Sequence, residues 1–301
     1  MDFLTPTRPT PLQELRDEVV QEAGVRLYIK RDDLIHPAVS GNKWRKLKYN
    51  LIRAKELGHD SVLTFGGAYS NHLFAMAAAG KAADLNTIGV VRGDELTAYS
   101  SPTLQYCQKQ GMQLHFISRE AYRQKECSEQ VKHLLKERGD IFIVPEGGSN
   151  ELALPGVGEM VQEVEQQLTH LTDYFAVAAG TGGTAAGILS APAPVLAFSA
   201  LKRGEFLREE IRTLVGDTAL VEHLQLFTDY HFGGYARYTS ELLDFIRSFE
   251  QQHGIPLEQV YTGKMMFGLY DLMQKGYFTP GSTLVAVHTG GLQGRLASLD
   301  K

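Results

Sequence analysis

The sequence predicts an α/β protein whose parallel sheets are covered on both faces by helices. Three observations carry that prediction. Short apolar runs of strand length alternate with longer amphipathic stretches along nearly the whole chain. Glycines follow the carboxyl ends of four of those runs, at Gly66-Gly67, Gly147-Gly148, Gly180 to Gly183 and Gly290-Gly291, and open α/β sheets bind ligands at those ends. The composition, 43% hydrophobic and 22% charged, is that of an ordinary globular protein and excludes a disordered, fibrous or coiled-coil chain.

The elements follow in order. Val25 to Lys30 alternates like a short strand. After a polar loop a helix opens at Asn42 and stops at Gly58. The run SVLTFGG reads as a strand, and the apolar helix behind it has Ser70 and Asn71 as cap candidates. The pattern repeats through TIGVVRG, a helix from Pro102 to Gly111, QLHFIS, a polar helix from Arg119 to Arg138, and IFIVPEGG. Helix GVGEMVQEVEQQL leads to strand YFAVAAG, then come strand PVLAFSAL, helix EFLREEIRTLV and a last strand in TLVAVHTGG. A chain of 301 residues is one large or two ordinary domains. No repeat, low-complexity tract or linker divides it, so a two-domain split has to be interleaved.

Several function classes are excluded early. Thirty-five acidic against 30 basic side chains give a net charge of −5, so no overall basic field favours nucleic acid or an anionic membrane. Cys107 and Cys127 form no CxxC, which speaks against a disulfide scaffold or a cysteine zinc site and for a reducing compartment. No HxxxH spacing occurs, so no transition-metal site is expected. No apolar run reaches about 18 residues, so no transmembrane helix is expected. Met1 to Leu12 holds three prolines and no apolar core of a signal peptide. A cytoplasmic protein is expected. Asp32 and Asp33, beside Arg31, read as an ion-paired loop.

Three motifs carry chemistry. The loop Gly180-Thr181-Gly182-Gly183-Thr184 follows a buried strand and opens a helix, so its backbone amides suit a phosphate. It also fits the dinucleotide pattern G-x-G-x-x-A, which wants an acid about 20 residues on. Lys202-Arg203 stands there instead, leaving an NADP site, and a plain tight turn, as alternatives. Lys43 and Lys46, three residues apart, share one face at a helix start. A lysine of lowered pKa forms Schiff bases with carbonyl groups and a second one suits a phosphate, although lysines at helix starts are commonly solvated. In Ser70-Asn71-His72 a hydroxyl and free amides at a helix start favour a carboxylate. The alternative there is ordinary capping beside a solvated histidine.

Together these motifs resemble the fold type II pyridoxal-phosphate (PLP) enzymes, the tryptophan synthase β-like group, and most of all its 1-aminocyclopropane-1-carboxylate (ACC) deaminase and D-cysteine desulfhydrase family. The matching pieces are RDDLIHPAVSGNKWRKL, FGGAYSNHLFAMAA, VPEGGSN, AAGTGGTAAG, GGYARY, VYTGKMMFGL and VHTGG. They occur in family order from Arg31 to Gly291. The resemblance implies two interleaved three-layer α/β domains with the cofactor between them. Residues 1–46 and 151–301 would form the larger, PLP-binding domain and 47–150 the smaller inserted one. It implies Lys43 as the Schiff-base lysine and Lys46 as a phosphate partner beside Gly180, Thr181, Gly182, Gly183 and Thr184. It further implies that Asn71 binds the phenolic oxygen of PLP and that Ser70, with Asn71 and His72, receives the substrate carboxylate. Tyr261 would stand against the cofactor ring with Tyr235 as its companion, and Thr289 would meet the pyridine nitrogen. Without the resemblance both tyrosines read as core or interface aromatics.

Two positions speak to substrate. ACC deaminases resemble one another in a Glu after the tyrosine of the VYTGK-like motif and a Leu before the last Gly-Gly. Here those residues are Thr262 and Thr289, as in D-cysteine desulfhydrases. The resemblance therefore implies PLP-dependent β-elimination on a small amino acid, D-cysteine giving pyruvate, sulfide and ammonium. The alternatives are an ACC deaminase giving 2-oxobutanoate and ammonium, or a non-catalytic protein that binds PLP or an amino acid. A homodimer is the family expectation. The stretch from Ala191 to Thr218 looks compressed against the family pattern.

Overall fold

The structure, a computed structural model, describes residues 8–300. The first seven residues of the proline-bearing N-terminal stretch, and of the larger expected domain, lie outside the described residues.

The chain opens with β1 (Leu12–Leu15), α1 (Glu18–Glu22) and β2 (Arg26–Lys30). Helix α2 (Asn42–Glu56) leads to β3 (Ser61–Gly66), α3 (Asn71–Ala82), β4 (Asn86–Arg92), α4 (Pro102–Lys109) and β5 (Gln113–Ile117). Two short helices, α5 (Arg119–Arg123) and α6 (Glu129–Arg138), precede β6 (Phe142–Val144). Then come α7 (Ala153–Gln167), β7 (Tyr174–Ala179), α8 (Gly183–Ser190) and β8 (Val195–Ser199). The last part holds α9 (Leu207–Val215), α10 (Thr218–Val221), β9 (Leu224–Phe227), α11 (Ser240–His253), α12 (Thr262–Gln274) and β10 (Thr283–Val287).

Two sheets result. One has six strands in the order β1-β2-β10-β7-β8-β9, the other four in the order β5-β4-β3-β6. All pairings are parallel except β1 with β2, an antiparallel edge. The chain leaves the large sheet after β2, builds the small sheet over residues 61–144, and returns at β7.

Side-chain alternation explains why both faces need helices. Along β7, Ala176 and Ala178 enter the core under α11 and α12, while Phe175, Val177 and Ala179 enter the core under α7, α8 and α9. Along the small sheet, Val62 and Val91 face α2, α3 and α4, while Leu63, Phe65, Ile88 and Val90 face α5 and α6. The central strands β7, β8 and β10 are almost wholly apolar because neither of their faces meets water. Each sheet is thus the middle of three layers, as predicted.

Some elements differ from expectation. The polar helix expected from Arg119 to Arg138 is broken: Lys125 takes φ +50° and Ser128 starts α6 by accepting from the Val131 amide. Strands β1 and β9 are four residues each at sheet edges, too short to stand out by periodicity. The compressed stretch 191–218 still supplies β8 and α9, and α9 forms part of the rim of the cleft between the sheets.

Candidate active site

The carboxyl ends of both sheets face a cleft of about 1110 Å³. All four glycine turns named from sequence reach its wall.

Helix α2 starts against the turn after β10. Gly41 has φ +63°, and a Cβ there would lie 1.9 Å from the Thr289 carbonyl oxygen, so only glycine fits. This contact fixes where Lys43 emerges. Lys43 is half-buried on the cleft wall, its Nζ donating to Asn42 Oδ1 at 3.0 Å. Asn42 in turn donates to Thr184 Oγ1 at 2.9 Å, tying the lysine to the glycine loop. Desolvation brings the Lys43 amine down to about 8.

One turn on, Lys46 is 1% exposed and donates to Ser149 Oγ at 2.6 Å. Ser149 also pairs with Thr181 Oγ1 at 2.6 Å. Burial, then the Lys43 charge, hold Lys46 well below the ordinary lysine range. Neither lysine has a carboxylate in ion-pair distance among the described residues. Gly182 takes φ +74° ahead of α8, whose first turn has no side-chain cap, so its amides are open. A Cβ on Gly183 would lie 2.5 Å from Ser149 Oγ and 2.9 Å from Lys46 Nζ. Two uncompensated cations, two hydroxyls and an uncapped helix start form a cradle that fits a phosphate.

The opposite wall is the turn after β3. Ser70 caps α3, accepting from the Leu73 amide at 3.2 Å, and also lines the cleft. The capping reading therefore holds, and the hydroxyl still faces the site. Asn71 accepts from Gln293 at 2.7 Å. Its Nδ2 lies 2.7 Å from where a Cβ on Gly291 would be. His72 is not solvated: it is 2% exposed and meets Thr64 Oγ1 at 2.7 Å. Since Thr64 gives its only proton to the Val144 carbonyl, His72 Nε2 must be the donor. Burial and the charges of Lys43 and Lys46 keep the ring neutral.

Tyr261 precedes α12, its ring carbon 3.1 Å from where a Gly180 Cβ would stand. Tyr235, 43% exposed, meets it edge-on with ring centres 6.0 Å apart. Burial and the Tyr235 phenol hold Tyr261 well above its ordinary pKa, so it stays protonated. Thr289, two residues beyond the end of β10, lies in the cleft wall. Thr262, by contrast, is fully buried, and its hydroxyl donates to Glu258 Oε1 at 3.1 Å instead of facing the cleft. Glu258 also accepts from the Val260, Tyr261 and Thr262 amides at 2.6–2.8 Å.

The structure thus brings every predicted site residue to one cleft or its immediate lining. It adds Asn42, Ser149, Glu258 and Arg92. Arg92 ends β4 with a guanidinium nitrogen 3.5 Å from where a Gly67 Cβ would lie, and it stacks over Tyr122 at 5.7 Å. It has no ion-pair partner among the described residues. Of these, Asn42 and Ser149 lie inside motifs quoted above, whereas Arg92 and Glu258 have no local sequence signal.

Comparison with known proteins agrees with this geometry. The model of the pyridoxal-phosphate dependent enzyme family matches residues 4–290. The chain is 32% identical to the "Bifunctional D-cysteine desulfhydrase/1-aminocyclopropane-1-carboxylate deaminase, mitochondrial" of Arabidopsis thaliana, over 92% of this chain and 75% of that protein. It is 29% identical to the "1-aminocyclopropane-1-carboxylate deaminase" of Burkholderia vietnamiensis, over 94% and 92%. A crystal structure described as that of "the ACC deaminase homologue" superposes with a TM-score of 0.83 at 31% identity, covering 96% of this chain and 91% of that one. With the phosphate cradle, the two lysines one turn apart and these matches in agreement, the chain belongs to the pyridoxal-phosphate-dependent enzymes, within their ACC deaminase and D-cysteine desulfhydrase group.

Proposed function

We propose that the protein is a β-eliminating lyase for a small amino acid, D-cysteine foremost, in which D-cysteine and water give pyruvate, sulfide and ammonium. The observation that carries this reading is the pair of threonines. Thr289, just beyond β10, lines the cleft as a neutral residue, and Thr262 turns to Glu258, so neither position offers the site a carboxylate. A neutral partner at the cofactor nitrogen suffices when the leaving group is good.

Bound pyridoxal phosphate supplies an electron sink for charge that develops at the substrate α-carbon. Lys46, Ser149, Thr181 and the amides of Gly182 to Thr184 would hold its phosphate, and Asn71 its phenolic oxygen. Ser70 and the open amides around it receive the substrate carboxylate, with Arg92 adding positive potential at that wall. Lys43 would hold the cofactor covalently, and its Nζ, when free, would take the α-proton of the substrate. Its pKa near 8 leaves about a tenth of the amine free at pH 7. The C–S bond breaks with its electron pair going to sulfur. Tyr261, kept protonated by burial, would offer a proton donor from the cleft wall. Tyr235 borders the mouth, and His72 holds the wall from behind as a neutral ring. Residues 47–150 acting as a separate domain, a homodimer and a cytoplasmic setting belong to the same proposal. Among the described residues no helix is long and apolar enough to cross a membrane.

The test is product analysis of the PLP-loaded protein with D-cysteine, L-cysteine and ACC in parallel. Pyruvate and sulfide from D-cysteine alone are expected. 2-Oxobutanoate from ACC would mean that the threonines do not set the substrate.

A further inference from the structure

Lys264 is a buried lysine that neither the phosphate cradle nor the proton transfer uses. It lies in the first turn of α12, 1% exposed. Its Nζ donates to two backbone carbonyls, those of His231 and Gly234, each at 2.8 Å. It has no carboxylate in ion-pair distance among the described residues. A cation in such a place loses its hydration, and neutral acceptors replace it only in part. An apolar side chain of the same length would fill the space without that cost, so the charge serves the carbonyls it binds.

Those carbonyls belong to the turn that carries Tyr235. Around that tyrosine the backbone is unusual: Phe232 has φ +51°, Gly233 +94°, Gly234 +117° and Ala236 +55°. Two non-glycine residues in the left-handed region mean that the turn is held in its shape by contacts outside itself. The ammonium of Lys264 is such a contact, reaching the turn from two sides of Gly233. On the same helix start, Glu258 fixes the Tyr261 amide at 2.8 Å. One turn of helix thus anchors both aromatic rings, 6.0 Å apart and edge to face.

We propose that Lys264 is a positioning residue of the active site, pinning the turn 231–236 so that Tyr235 stands against Tyr261 at the cleft mouth. The proposal rests on the reading of Tyr235 and Tyr261 as residues of the site.

The test compares Lys264→Met, Tyr235→Ala and the double variant, each loaded with PLP. Two quantities are read: kcat and KM for D-cysteine, and the visible circular dichroism of the bound cofactor, which needs no turnover. If Lys264 acts through Tyr235, Lys264→Met lowers kcat/KM about tenfold, mainly through KM. It also changes the dichroism as Tyr235→Ala does, and the double variant is no worse than Tyr235→Ala alone. Losses that multiply in the double variant, or a Lys264→Met protein equal to wild type in both readouts, overturn the proposal. Should D-cysteine not react at all while both single variants change the dichroism alike, the substrate reading fails and the proposal stands. Should Lys264→Met fail to fold, Gly234→Ala disturbs the same turn with the lysine intact, because an alanine at φ +117° is strained. The same KM-weighted loss is then expected, and unchanged kinetics with unchanged dichroism overturn the proposal.

Discussion

Replacing Lys43 with methionine should stabilise the cofactor-free protein while abolishing its function. The side chain stands on the cleft wall with its amine brought down from 10.5 to about 8 by desolvation alone. At about 1.4 kcal/mol per pH unit, that drop corresponds to about 3 kcal/mol of destabilisation when the amine is charged. The side chain is partly open to water, and screening reduces the figure to about 1–2 kcal/mol. For a chain of this size the melting temperature should rise by a few degrees, roughly 2–4 °C per kcal/mol. Because Lys43 also depresses Lys46, its removal relieves a second charge in the same direction. The pH dependence follows from the sign of the shift. The folded amine has the lower pKa, so the unfolded chain binds more protons between about 8 and about 10.4. Wild-type stability therefore gains on the variant as pH rises through that window, and the penalty is full below it. Calorimetry of both cofactor-free proteins at pH 7 and pH 9.5 measures the difference directly. A variant less stable than wild type at pH 7, or a difference that does not narrow at pH 9.5, would refute the reasoning.

Other outcomes follow from the same geometry. Lys46→Met should weaken PLP about 10- to 100-fold, since a charge-assisted hydrogen bond contributes about 1.5–3 kcal/mol and 1.4 kcal/mol is tenfold. Cofactor titration followed by absorbance checks this, and unchanged affinity would remove Lys46 from the cradle. Arg92→Ala should lower kcat/KM for D-cysteine by several-fold, since the substrate carboxylate loses positive potential at that wall, as steady-state kinetics would report. Leu284→Ala, at a position with no exposed surface in β10, should cost about 2–5 kcal/mol in denaturant unfolding by opening a cavity under α12.

What the sequence discloses and what it hides divide along a physical line. The turns at Gly41, Gly182 and Gly290 are legible because a backbone at positive φ, or one packed against another backbone, demands glycine at that position whatever lies around it. Strands such as β7 are legible because both faces are buried and every residue is apolar. Ser149 is different. Its partner Lys46 lies 103 residues away, so its place in the motif VPEGGSN does not reveal what it binds. Arg92 reads as the polar end of a strand, and only the fold shows that it faces Gly67 without an acid to pair with. Thr262 was legible as a position but not as an orientation, since the Glu258 carboxylate that captures its hydroxyl is a feature of the α12 start. Glu258 escapes sequence reading, and so does the role of Lys264 although it lies inside the motif VYTGKMMFGL, because buried charges are recognised by what surrounds them. The break between α5 and α6 escapes for a similar reason: Lys125 leaves helical geometry over the Tyr122 ring and reaches Glu146 at 2.5 Å, a tertiary contact.

The central claim is that Lys43, and not its buried neighbour one turn away, carries the cofactor and faces the substrate. Both amines are depressed by burial, so both are chemically competent and only their placement separates them. Reduction of the PLP-loaded protein with borohydride, followed by peptide mapping by mass spectrometry, tests this directly. The account predicts the reduced cofactor on Lys43, with Lys46 unmodified. Label on Lys46 or Lys264, or no label despite bound cofactor, would contradict it.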